Sequence, residues 1–186
     1  QSSESPSGFA SSLKLDCDGV STATSRHNGG IATYLEGQDC QMLGYGTADA
    51  KDVTLSFYAK SASENNGHSY GVMLGAFLGG ARSTQTKGFT VTTSWQRFEM
   101  TFSANGTVLS TAINNDNAKG IQLYFSLASG PDDLENKTTW ASGGLEGFTG
   151  QDNFFDHTSN EFYLTGVQLE LGSNATPFEH RSYGDE

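Results

Sequence analysis

Five residues of this 186-residue chain have the chemistry of a sugar-binding surface: Tyr58, Arg97, Glu99, Gln122 and Tyr124. A pyranose has an apolar face that stacks on an aromatic ring and a hydroxyl rim that needs amide, carboxylate and guanidinium partners. All five occupy outward positions of segments that alternate apolar and polar residues. They form one recognition surface if those segments are neighbours, and ordinary solvated sheet faces if they are not. Trp140 lies in a segment without alternation, where it either pins a loop to the body or forms a rim platform for a ligand or a neighbouring subunit.

Asp16, Asp18, Asp152 and Asp156 are the candidates for a metal site. Hard cations take loop carboxylates and carbonyls, so a structural Ca2+ is the expected cofactor, although the spacing is not that of an EF-hand and acidic residues are common in turns. Catalysis finds less footing. The sequence has no GxSxG elbow, no HExxH and no phosphate-binding loop, and its four histidines (His27, His68, His157, His180) lack metal-ligand spacing. A glycosidase would need two facing carboxylates, and nothing in the spacing pairs Glu99, Glu146, Asp152 or Glu170. The chain is expected not to be an enzyme.

The elements that position these residues read as strands. In Asp52–Lys60, Val53, Leu55, Phe57 and Ala59 share one face while Thr54, Ser56, Tyr58 and Lys60 share the other. Gln96–Phe102 places Phe98, Met100 and Phe102 inward, with Arg97, Glu99 and Thr101 outward. Ile121–Leu127 repeats the pattern with Gln122, Tyr124 and Ser126 outward, and Val167, Leu169 and Leu171 alternate near the end. Fainter strands are expected over Ser12–Cys17, Gly30–Gln38 and the almost wholly apolar Ser69–Leu78. Turn residues separate them, as in Glu64–His68, Ala104–Thr107 and Asn114–Asn117. No long segment has the three-and-four spacing of a helix, so two packed antiparallel sheets are predicted. Gly130–Asn160 runs about thirty residues without alternation, beyond the ~12 to 15 usual for a loop, which points to a functional or assembly role.

Composition agrees. The chain has 23 Gly, 3 Pro and 17% charged residues, a mixture suited to short strands and many turns. One domain is expected over residues 12–186, preceded by a linker or mobile arm over 1–11. The net charge of −11 disfavours nucleic acid and anionic membranes as partners. No apolar run is long enough to span a bilayer, and the first residues lack the basic and apolar regions of a signal peptide. Cys17 and Cys40 match neither a redox motif nor a zinc site, which leaves a disulfide or two small buried side chains. Sequons stand at Asn105, Asn136 and Asn174.

Several phrases extend this reading. Thr165–Gly172 with Ala175–Glu186, together with Ser12–Cys17, Leu35–Asp39, Tyr45–Lys51 and Asn115–Asn117, resembles the carbohydrate-binding-module-like jelly-roll domains of bacteriophage tail fibres and other virion structural proteins. The chain departs from that pattern in the Gly-rich run Tyr70–Gly80 and in Cys40, where an aliphatic residue is usual. The resemblance implies a jelly-roll β-sandwich, a virion or extracellular location, and partners such as a bacterial surface polysaccharide or other glycan and other virion proteins. It leaves a rival, an architectural module (head decoration, cement or fibre shaft) acting through self-association, for instance as a homotrimer. A third reading is an accessory domain of a polysaccharide depolymerase.

Overall fold

Alternating apolar positions bury one face of each strand, and the computed structural model shows which faces meet. It describes residues 1–104, 107–144 and 146–180. Among these residues the strands are β1 (Leu13–Asp16), β2 (Asn28–Glu36), β3 (Val53–Ser61), β4 (Ser69–Leu78), β5 (Ala81–Thr90), β6 (Gln96–Phe102), β7 (Lys119–Ser129), β8 (Leu134–Glu135), β9 (Ala141–Ser142), β10 (Gly147–Phe148) and β11 (Glu161–Leu171). One sheet has the order β1-β11-β3-β6 and the other β2-β7-β4-β5-β9, both antiparallel, while β8 and β10 form a small parallel pair. The eight principal strands divide four and four between the two sheets, and β9 extends the second to five strands. The fold is therefore an all-β jelly-roll sandwich.

The core is aromatic. Phe57 on β3 is fully buried, stacks on Phe98 of β6 at 5.2 Å, and meets Phe89 of β5 and Phe125 of β7 edge-on at 5.1 and 5.0 Å. These four rings bind the two sheets together, in geometries that satisfy the ring quadrupoles. Cys17 and Cys40 are free thiols, both buried. Burial, and then the nearby Asp39 carboxylate, push the Cys40 thiol up to about 11.

Three elements differ from the sequence expectation. β5 has no alternation because both its faces are covered: Ser83, Thr84, Gln85 and Thr86 are all buried. The pattern that fits half-exposed strands therefore misses it. β11 begins six residues before Val167 and changes phase midway. Phe162 and Leu164 point inward before a bulge between Thr165 and Gln168, and Leu169 and Leu171 face the core strand after it. Residues 1–11, expected as a linker or mobile arm, lie against the sandwich: Ser2 bridges Ser12, and Glu4 holds Lys60 and Tyr163.

Outer layers cover both sheets. The arm and the tail after β11 cross the outer face of the β1-β11-β3-β6 sheet, and the segment between β7 and β11 folds over the other sheet. That segment carries β8 to β10 and two short 3-10 turns, Pro131–Asp133 and Phe154–Asp156. Replacing Phe57 with Ala would leave a cavity that rings from two sheets line. The expected loss is about 3–5 kcal/mol of stability, read as a lower urea midpoint with an unchanged denaturant slope.

Candidate functional site

The five sugar-type candidates divide between the two outer faces. Tyr58 on β3 stands directly opposite Arg97 on β6, and Ser56 opposite Glu99, so Tyr58, Arg97 and Glu99 share the outer face of the first sheet. Gln122 and Tyr124 sit on β7, in the other sheet. The expected single surface does not form, because β3 and β7 are not neighbours.

On the first face, Tyr58 is half-buried beneath Phe9 of the arm, with ring centroids 5.2 Å apart, and Phe178 of the tail lies 5.0 Å from Phe9. The bulge makes this fit possible. Gly166 has φ +59°, and a Cβ there would come within 2.7 Å of the Phe9 ring. The tail is held by side chains of β11 and β6. Gln168 accepts from the Glu179 N–H at 2.8 Å, Glu170 accepts from the Thr176 hydroxyl at 2.6 Å, and Arg97 ion-pairs with Glu99 and donates to the Thr176 carbonyl. Trp95, beside this layer, packs edge-on against Tyr163.

On the second face, Gln122 and Tyr124 are buried under the segment that follows β7. Arg82 of β5 links Gln122 (3.3 Å) to Glu146 (2.8 Å). Burial first, and the carboxylates of Glu146 and Asp133 next, raise the Tyr124 hydroxyl above its ordinary value. Gly71 and Gly88, opposite one another on β4 and β5, form a bare floor for the Phe148 ring; a Cβ on Gly88 would lie 2.3 Å from that ring. The glycine-rich departure in Tyr70–Gly80 has a packing role here. Trp140 is buried edge-on against Tyr45 at 5.8 Å and pins the same segment.

A groove opens where the β5 and β6 edges leave the sandwich unclosed. This shallow, open groove has a volume of about 590 Å³ and is lined by the rings of Phe98 and Phe148 and by the polar groups of Lys87, Glu99, Thr101 and Thr138. Of the sugar-type candidates, only Glu99 lines it. Lys87 escaped notice because β5 itself is not legible, while Phe148, which the sequence offers as an interface residue of the architectural reading, packs on Gly71 and Gly88 of its own chain.

Three of the four aspartates have partners within the chain. Asp16 ion-pairs with Lys14 at 2.7 Å, Asp152 accepts from the Ser69 N–H at 2.7 Å, and Asp156 accepts from the Asn160 amide at 2.6 Å, while Asp18 lies in an exposed loop. Among the described residues no group of three or more His, Cys, Asp or Glu side chains converges to hold an ion. The other carboxylates have separate partners too, Arg82 for Glu146 and the tail for Glu170. No helix among the described residues is long and apolar enough to cross a membrane. Asn105 and Arg181–Glu186, the end of the closing phrase, lie outside the described residues.

Neither protein-family models nor curated proteins match the chain. Its class rests on topology: a jelly-roll β-sandwich with a covering layer on each face.

Two outcomes test this account of the layers. Gly88→Ala drives a methyl group into the Phe148 ring. It is expected to cost about 1–3 kcal/mol and to speed tryptic cleavage after Lys137 by loosening the covering segment. The second concerns pH. Hydrogen bonds from Gln168 and then Thr176 hold the Glu170 carboxyl below its ordinary 4.5. A depressed folded value means that the clasp is intact above 4.5 and is lost as pH falls through the folded value. The Thr176 amide resonance should shift with a midpoint below 4.5, and Glu170→Gln should abolish that transition.

Proposed function

We propose that this chain is a non-catalytic glycan-recognition module of a bacteriophage tail fibre or other virion surface appendage, with the sugar seated in the groove between β5 and β6. The groove carries the reading: its volume falls within the ~300–1,000 Å³ of small-ligand sites, and it joins two phenyl rings to an ammonium, a carboxylate and threonine hydroxyls. Rings at the groove stack on the apolar face of a pyranose while Lys87, Glu99 and Thr138 meet its hydroxyls. The acidic chain suits a neutral or cation-bearing polysaccharide better than a strongly anionic one. The sequence phrases that resemble virion modules support the setting, with a bacterial surface polysaccharide as ligand and other virion proteins as neighbours.

Glycan arrays of bacterial surface polysaccharides, followed by calorimetry, test the reading. Saturable binding is expected, and Lys87→Ala and Glu99→Gln should each weaken it about tenfold, or ~1.4 kcal/mol. Absence of binding across the array, or binding indifferent to both substitutions, would remove the support. The architectural reading has its own observation, a concentration of exposed apolar side chains around β2. Leu35, Met42 and Leu171 line one seam of the sandwich, and Tyr34 is exposed on the same strand as Leu35.

A further inference from the structure

A sheet edge offers unpaired backbone donors and acceptors to any passing strand, so edges are normally shortened, charged or covered. Three of the four edges here are protected in that way. β1 is four residues long and carries Lys14 and Asp16, β6 carries Arg97 and Glu99, and β5 is covered by β9 and by a hydrogen bond from the Thr86 N–H to the Lys137 carbonyl. β2 is different. It is nine residues long, ends its sheet, has no proline, and carries no charge from Asn28 to Leu35; from Ala32 to Glu36 every residue is exposed.

We propose that β2 is the contact edge of a twofold dimer of this chain, pairing antiparallel with β2 of a second copy about Thr33. The register follows from side-chain parity. Ile31, Thr33 and Leu35 stand opposite the core residues Phe125, Leu123 and Ile121 of β7 and therefore face inward, whereas Ala32 and Tyr34 face outward. Residues directly opposite in an antiparallel pair lie on the same face. Centred on Thr33, the pairing sets Ile31 against Leu35 of the second copy twice on the inner face, and Ala32 against Tyr34 twice on the outer face. The strand is thus complementary to itself, as an isologous contact requires.

Apolar exposure and charge favour the second copy as occupant. Leu35 is 41% exposed although it faces inward, because the sandwich is unclosed along the seam beside β2, and the exposed side chains of Met42 and Leu171 line that seam. A neighbouring sandwich at this edge would cover them. Glu36, the only charged residue of β2, falls opposite Gly30 of the second copy. The two Glu36 side chains then stand about 20 Å apart along the strands, well beyond the ~8 Å screening length at physiological ionic strength. Despite the net charge of −11, the pairing forces no carboxylates of the β2 strands themselves together.

The dimer joins two sandwiches through one continuous sheet. Its grooves lie on the β5 and β6 side, the edge of each sandwich remote from β2, and so stay open. The proposal does not depend on what the groove binds.

Light scattering across the micromolar range, coupled to size exclusion, is the first measurement: the full chain should weigh twice one copy at the upper end. Thr33→Lys places two ammonium groups at the dyad and should halve the mass. Thr33→Cys should form a disulfide-linked dimer under oxidising conditions, since opposed residues in an antiparallel pair fall within disulfide reach, whereas Tyr34→Cys, which faces Ala32 of the second copy, should not. The native thiols are buried, so the unsubstituted chain serves as the control. A single-copy mass at every concentration, a dimer undiminished by Thr33→Lys, or equal cross-linking of the two cysteine variants overturns the proposal.

Discussion

Phe57 is held between two sheets by rings from both, and most of the molecule can be traced outward from that contact. Phe98 belongs to its own sheet and Phe89 and Phe125 to the facing one. Each ring fixes the inward face of its strand, and side chains alternate with period two, so each inward choice also decides which residues point out. Tyr58 faces outward because Phe57 faces inward. The same parity places Gln122 and Tyr124 outside because Leu123 and Phe125 are inside.

What happens to those outward residues is decided by glycines as much as by side chains. Phe9 reaches Tyr58 because Gly166 has no Cβ, and Phe148 settles on the other sheet because Gly71 and Gly88 have none. Both outer faces that would have offered broad platforms are thereby occupied by the chain itself. Among the described residues, the surfaces left open include a polar and aromatic edge between β5 and β6 and an apolar seam beside β2. That division is what the proposed glycan groove and the proposed β2 contact each draw on.

The strands whose two faces differ were legible in the sequence. β3, β6 and β7 each place aliphatic and Phe residues on one side and hydroxyl, amide or charged residues on the other, and β4 was marked by its apolar run with the bounds observed. β5 was not, since covering both its faces removes the contrast that alternation measures, and the first half of β11 was lost to the phase change at the bulge. The candidate site was legible only in part. Glu99 reached the groove, whereas the pairing of Tyr58 with Tyr124 assumed neighbouring strands, and adjacency between strands is set by long-range topology that residue periodicity does not encode. Trp140 pins the covering segment, one of the two roles its position had left open.

The bulge at Gly166 also bears on how the domain carries load. β1 runs antiparallel to β11, with Leu13 opposite Leu164 and Asp16 opposite Glu161, so the chain enters β1 and leaves β11 at the same end of the pair. Tension on the two ends would open that pair like a zipper, one rung at a time, which is the weakest way to load a sheet. Before the pull reaches the first rung it meets Phe9 lodged between Tyr58 and Phe178, Arg97 on the Thr176 carbonyl, and Lys60 on Glu4. A module held by both ends would therefore owe its mechanical strength to a layer outside the sandwich, seated on a glycine that breaks the regular strand.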